Sequence, residues 1–215
     1  MVSHATSTIT NIKNKILSIG RPLVLQKGET IFRQGDSFEC LYVLCSGSAK
    51  TLLLSNDGDE QLTDFYFPND IIGFSSIEQK THSVTAITLE LSSAYEISAD
   101  KLKKLSTEDT SLLNYLINMT SRQICHAQNM QLITCQKNAE QRVSNFLIRL
   151  SARFSSNGYS PTKFRLSMSR AEIANNLGLT PETVSRIITK LCGQGIIAIE
   201  GKNIRIIKPE ALMII

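Results

Sequence analysis

Within TPETVSRIITKL a carboxylate, a hydroxyl and a guanidinium stand at Glu182, Ser185 and Arg186. Steps of three and four residues put them on one face of a helix, where their donors and acceptors reach out together. A guanidinium can donate two parallel bonds to guanine O6 and N7, a carboxylate can accept from cytosine N4, and a hydroxyl can meet either kind of base. Each such contact is worth roughly 1–3 kcal/mol of discrimination. The plainer account of any one of them is local: acid in a first turn favours the helix dipole, and an exposed Ser or Arg meets water. What favours base reading is the capped two-helix frame, set out below, that carries them in a basic segment. Thr180, Thr183, Arg170, Lys190, Lys202 and Arg165, with Lys163 and Arg205, are candidate phosphate contacts, which position a domain without reading sequence.

The elements that would hold these residues are legible around them. Ser169 can cap a helix over residues 170–177, and Thr180 followed by Pro181 can cap another over 181–191, with the proline where its missing N–H costs nothing. Ala171, Ile173, Ala174 and Leu177 on the first helix and Val184, Ile187, Ile188 and Leu191 on the second supply a shared core, and the small Ala174 lets them cross closely. Gly178 turns the chain between them. A strand KFRLSM precedes them, and strands over 196–199 and 204–207 follow, with Glu200 to Asn203 as the hairpin tip. Together they describe a winged helix-turn-helix, in which the start of the second helix enters the major groove. Residues 138–215 carry 11 Lys and Arg against 5 Asp and Glu, a balance of +6; residues 1–137 carry 12 against 14, a balance of −2. A polyanion-binding module joined to a near-neutral domain has this asymmetry.

Upstream, from about residue 23 to 97, short runs of β-branched and aromatic residues alternate with turn chemistry at Gly28, Gly35-Asp36, Ser46-Gly47, Asn56-Asp57-Gly58-Asp59 and Pro68-Asn69-Asp70, which suits an antiparallel roll. The period then changes. Over about 110–134 there is no Pro or Gly, and Leu113, Ile117, Ile124, Ala127 and Met130 recur as an apolar stripe, predicting one long helix entered through a shorter turn near 99–105. The stripe either pairs with a second copy or packs on the chain's own roll; its length beside a small roll favours the pair. A further helix is expected over 139–154.

The other classes of function find little support. The three histidines, His4, His82 and His126, are far apart, and there is no nucleophile motif or phosphate-binding glycine loop, so no catalytic site is expected. The five cysteines, Cys40, Cys45, Cys125, Cys135 and Cys192, have no metal or disulfide spacing and are expected as reduced thiols, with no metal bound. No window is apolar enough to span a membrane and the N-terminus lacks the apolar stretch of a signal peptide, so a cytoplasmic protein is expected.

The stretches QKGETIFRQGD, LYVLCSGSAK, NDGDEQLTDF, PNDIIGF, QKNAEQRVSNFLIRLSARF and GYSPTKFRLSMSRAEIANNLGLTPETVSR, in that order, resemble the CRP/FNR family of bacterial transcription regulators, and most closely its FNR branch. The resemblance implies an α+β fold: an N-terminal arm and double-stranded, cyclic-nucleotide-binding-like β-roll over 1–107, a dimerisation helix over 108–137, and a winged helix-turn-helix DNA-binding domain over 138–215. It places the base-reading set on Glu182, Ser185 and Arg186 and pairs it with a palindrome of TTGAT and ATCAA half-sites. It implies a homodimer on double-stranded DNA, an activator that meets RNA polymerase through Gly58 and Asp59 of the roll and through Tyr159 and Ser160. Simple turn chemistry also accounts for those tips. The chain departs from the family's sensors. It has no cysteine before Cys40, and Tyr95 stands where the FNR branch has its fourth cluster cysteine; no arginine lies between Arg33 and Arg122 to clamp a cyclic nucleotide, with Lys80 and His82 as weak substitutes. Ala127 stands where cluster-bearing relatives keep an acid that opposes pairing. A dimer that needs no cofactor is therefore expected. The alternatives are a regulator gated by an unidentified small molecule in the roll, or a ligand-sensing module that does not bind DNA.

Overall fold

The structure, a computed structural model, describes residues 11–55 and 57–214. His4, Asn56 and the N-terminal stretch weighed above as a signal peptide lie outside the described residues, apart from the short helix α1 at residues 11–18.

Eight strands follow: β1 (Arg21–Leu25), β2 (Thr30–Phe32), β3 (Cys40–Ser46), β4 (Ala49–Leu54), β5 (Glu60–Tyr66), β6 (Ile71–Ile72), β7 (Thr85–Thr88) and β8 (Ser92–Ser98). They form two antiparallel four-stranded sheets, ordered β1-β8-β3-β6 and β2-β7-β4-β5. Inward-facing Phe32, Ala49 and Ala86 of one sheet meet Tyr42 and Ile72 of the other, which is the roll's interior. Alternation is not strict. A register shift between Thr51 and Leu52 turns two consecutive residues of β4 inward, as a bulge does. The β4–β5 hairpin closes with Leu54 opposite Glu60, and the Ser55 N–H donates to the Asp59 carbonyl at 2.9 Å. Gly58 there has φ 88°, open to glycine at little cost.

Beyond the roll, the expected short turn is a full helix, α2 (Ala99–Glu108), capped by Ser98. Asp109 separates it from α3 (Thr110–Gln136), and its carboxylate accepts from Lys15 Nζ at 2.5 Å and from the N–H groups of Ser111 and Leu112. The Lys15 ammonium and the Ser111 hydroxyl hold that carboxyl well below the usual range. A second core joins α1, the roll and the two helices through Ile12, Ile16, Leu41, Ile71, Ile97, Leu102, Leu112 and Tyr115.

The C-terminal elements are α4 (Ala139–Ser156), β9 (Lys163–Arg165), α5 (Arg170–Leu177), α6 (Pro181–Gly193), β10 (Ile197–Glu200), β11 (Asn203–Ile206) and α7 (Pro209–Ile214), with the sheet ordered β10-β11-β9. The short α7, which buries Leu212, was not expected from the sequence. Packing divides the chain into two compact units, 1–127 and 128–215, so α3 contributes to both.

Candidate nucleic-acid interface

The frame of the site is set by caps and a glycine. Ser169 Oγ accepts the Glu172 N–H at 3.2 Å while the Glu172 carboxylate accepts the Ser169 N–H at 2.7 Å, a reciprocal box that starts α5. Gly178, with φ 61° and ψ 44°, ends it in the left-handed conformation and lets the Leu179 N–H close on the Ala174 carbonyl at 2.9 Å. Two residues later Thr180 Oγ1 accepts the Thr183 N–H at 3.3 Å, and Pro181 opens α6. Ile173, Ala174, Leu177, Val184, Ile187, Ile188 and Leu191 are all buried, as the sequence predicts, whereas Ala171 is exposed and outside that core. Its place on the first turn of α5 turns it to solvent.

Packing therefore fixes which edge of α6 is left over. Glu182, Ser185 and Arg186 are all exposed, and among the described residues none has a hydrogen-bond or ion-pair partner. Three unused polar side chains on the first two turns of a helix whose other face is fully packed form a donor and acceptor array aimed outward.

The phosphate candidates divide. Thr180 and Thr183 hydroxyls bond to each other at 3.1 Å at the helix start. Lys163 and Arg205 face each other across the β9–β11 pairing and Arg165 lies opposite Asn203, all exposed on the outer face of the small sheet. Lys202 sits at the hairpin tip, with Nζ donating to the Ser167 carbonyl at 3.3 Å. Arg170 is half-buried at the start of α5, and burial lowers its pKa from the ordinary value. Lys190 differs from its sequence reading: Nζ is bound to the Glu140 carboxylate at 2.6 Å, so its charge ties α6 to α4.

One residue that holds this frame escaped the sequence reading. Arg142 on α4 donates from Nε to the Lys137 carbonyl at 2.9 Å, from Nη2 to Thr134 at 2.5 Å, and from Nη1 to Leu177 at 3.1 Å and Gly178 at 3.4 Å. It thereby satisfies carbonyls left over at the ends of α3 and α5, and pins the turn before α6. No local motif marks such an arginine.

The long helix is apolar on two separate faces. Leu112 and Tyr115 are buried in the roll's core, while Leu113, Ile117 and Ile124 are 43, 56 and 54% exposed and Ala127 is exposed with them. Met130 is half-buried, its sulfur against the Arg149 guanidinium. At the surface tips, Gly58 and Asp59 close the β4–β5 loop, Tyr159 lies edge-on to Phe154 at 6.1 Å, and Ser160 Oγ accepts the Thr162 and Lys163 N–H groups at 3.3 and 3.1 Å.

The two sensor groups that the resemblance implies, an iron-sulfur cluster and a cyclic nucleotide, each call for a particular donor set. Cys40 and Cys45 lie on β3, Cys125 and Cys135 on α3 and Cys192 on α6, and no cluster of three or more potential metal ligands occurs among the described residues. Burial and the nearby Glu96 and Glu39 carboxylates push the Cys40 thiol up, away from the thiolate a cluster needs. Where a cyclic nucleotide's phosphate would call for a guanidinium, Gly73 enters a short 3₁₀ turn, Phe74–Ser76, and the chain carries buried His82. That imidazole stacks on Phe32 at 3.7 Å and meets Phe38 edge-on at 5.4 Å, and burial lowers its pKa. Neither donor set fits its group.

Comparison with known proteins bears on both units. Residues 141–215 match the Crp-like helix-turn-helix domain and residues 22–109 the cyclic nucleotide-binding domain. The chain is 43% identical over 199 residues to the transcriptional activator protein Anr of Pseudomonas protegens, covering 93% of this chain and 81% of that one. It is 39% identical over 194 residues to the fumarate and nitrate reduction regulatory protein of Salmonella typhimurium, covering 90% of this chain and 78% of that one. Among solved structures, FixK2 from Bradyrhizobium japonicum superposes with a TM-score of 0.83 at 28% identity, covering 91% of this chain and 96% of that one.

Proposed function

The chain belongs to the CRP/FNR family of transcription regulators, and from that premise we propose that it works as a homodimer on a palindrome of TTGAT and ATCAA-like half-sites, with no iron-sulfur cluster and no cyclic AMP. A regulator with a β-roll and a DNA-binding helix-turn-helix is common to its relatives; the site, the dimer and the independence from an effector are our reading. It rests above all on the unpartnered edge of α6. Arg186 would donate its fork to guanine, Glu182 would accept from cytosine N4, and Ser185 would meet a neighbouring base. Thr180, Thr183, Arg165, Arg170, Lys202 and the Lys163–Arg205 pair would hold phosphates; Lys190, bound to Glu140, would do so only by sharing its charge.

The exposed face of α3, Leu113, Ile117, Ile124 and Ala127 with Met130 at its edge, would pair with its copy over the span 108–137, between a roll domain ending near 107 and a DNA-binding domain beginning near 138. Gly58 and Asp59 on the roll, and Tyr159 and Ser160 before β9, would meet RNA polymerase.

The experiment is a fluorescence-anisotropy titration of a TTGAT/ATCAA duplex and of a scrambled duplex with reduced, metal-free protein at two salt concentrations. Selective binding that persists at the higher salt supports the proposal, because phosphate attraction alone fades steeply with salt. Equal, salt-sensitive binding to both duplexes would overturn it.

A further inference from the structure

On the flank of the roll lies a cavity of about 240 Å³, away from the Gly73–His82 turn. Its walls come from three elements that are distant in sequence: α1, the β3 strand with the turn before β6, and the start of α3. The apolar part includes Leu17, Val43 and Ile71; the polar part includes Asn69, Lys13, Asn14 and Tyr115. The last three have no hydrogen-bond or ion-pair partner among the described residues. Tyr115 is only 9% exposed and Lys13 is half-buried, so water satisfies them incompletely. The neighbouring backbone offers little, because the Asn69 N–H already donates to the Leu44 carbonyl at 2.7 Å and the Leu44 N–H to the Asp70 carbonyl at 3.0 Å.

Lys13 is the one charged side chain among the cavity's lining residues. Beyond the lining, the Asp70 carboxylate and, more weakly, the Arg122 guanidinium lie within its electrostatic reach, and that carboxylate accepts the Phe67 N–H at 2.6 Å. An ammonium and a phenol, neither with a hydrogen-bond partner among the described residues, thus line the cavity beside an aliphatic wall. A pocket of that composition binds a ligand with one charged end and an apolar body.

We propose that this cavity is a binding site for a small amphipathic carboxylate, its charged end on Lys13 and Tyr115 and its apolar body along Leu17, Val43 and Ile71. At about 30 Å³ per water molecule the space holds roughly eight waters, or a ligand of roughly ten heavy atoms. The proposal concerns the roll unit alone and stands whether or not the DNA half-site is right.

Cys45 lines the same cavity and is exposed, as are Cys125 and Cys135 on α3, which supplies a reporter with internal controls. The probe is octanoate, set against octylammonium and octanol, which share its chain but not its charge. Full-length protein is alkylated with iodoacetamide in each, and the rate at every cysteine is followed by peptide mass spectrometry. Octanoate is expected to slow alkylation at Cys45 saturably, with a Kd on the order of 1 mM for a ligand of this size, and to leave Cys125 and Cys135 unchanged. Lys13→Gln is expected to weaken that protection about tenfold, the worth of one charge-assisted bond, and Tyr115→Phe to weaken it less. Lys13→Glu is expected to transfer the protection from octanoate to octylammonium. The proposal is overturned if octanoate gives no saturable protection at Cys45, if octanol or octylammonium protects equally, or if Lys13→Gln protects as well as the parent protein.

Discussion

At the scale of single residues, the proposed function turns on the difference between a charge and a fork. Arg186→Lys keeps the positive charge on α6 but loses the planar pair of donors that fits a guanine edge. It is expected to cost roughly 1–3 kcal/mol of discrimination between the half-site and a variant lacking that guanine, with binding to scrambled DNA little changed. Anisotropy competition measures both, and equal losses on the two duplexes would reduce Arg186 to a phosphate contact. His82 makes a different prediction. Its imidazole is buried against Phe32 and Phe38, with Nδ1 unpaired among the described residues, and its pKa is lowered from 6.5. Below about pH 6.5 the unfolded chain takes up a proton that the folded roll resists, so stability is full above that pH and falls as the pH drops toward the lowered folded value. Asp36 is the carboxylate that opposes this lowering, and it does not outweigh burial. Urea melts across that range should slope downward with acid, and His82→Leu should flatten the slope; an unchanged slope would mean that the loss arises elsewhere.

At the scale of elements, α3 carries the sharpest consequence. Its two apolar faces differ in what covers them: Leu112 and Tyr115 are buried within the chain, Ile117 and Ile124 are not. Ile117→Glu places a carboxylate on the open face without touching the buried one. It is expected to weaken self-association by roughly 3 kcal/mol or more, since a twofold interface loses the buried side chain on both copies. Circular dichroism should stay unchanged while sedimentation shifts toward monomer; a variant that remains dimeric at micromolar concentration would place the interface elsewhere. The helix was visible in the sequence because periodicity and freedom from Pro and Gly are local properties. So were the starts of α5 and α6, where Ser169 and Thr180 announce themselves by type. What was not visible depended on pairs far apart in the chain. Lys190 was read as a candidate phosphate contact, and its pairing with Glu140, fifty residues away, left no mark in the sequence. Arg142 gave no sign because its partners are backbone carbonyls, which every sequence has. Ala171 was assigned to the core by residue type, and only the packing of α5 turned it outward. The short α7 lacks the length that periodicity needs.

At the scale of the whole molecule, order of motifs carried more than any one of them. Turn chemistry at near-regular spacing, then a long uninterrupted helix, then a capped pair and a hairpin already implied the architecture, and the strand order and the capped helices have it. The cavity on the roll's flank was less legible, since cavities arise from surfaces that no spacing describes. Lys13 and Tyr115 are 102 residues apart, yet line one space. The open stripe on α3 has a last consequence, which concerns quantity. If the DNA-binding species is a pair and nothing else is needed to form it, then in dilute conditions its abundance grows as the square of the amount of chain. Halving synthesis would cut promoter occupancy nearly fourfold, so copy number itself becomes the input, and the gene's expression level acts as the dial that other regulators in this family give to a small molecule or a metal.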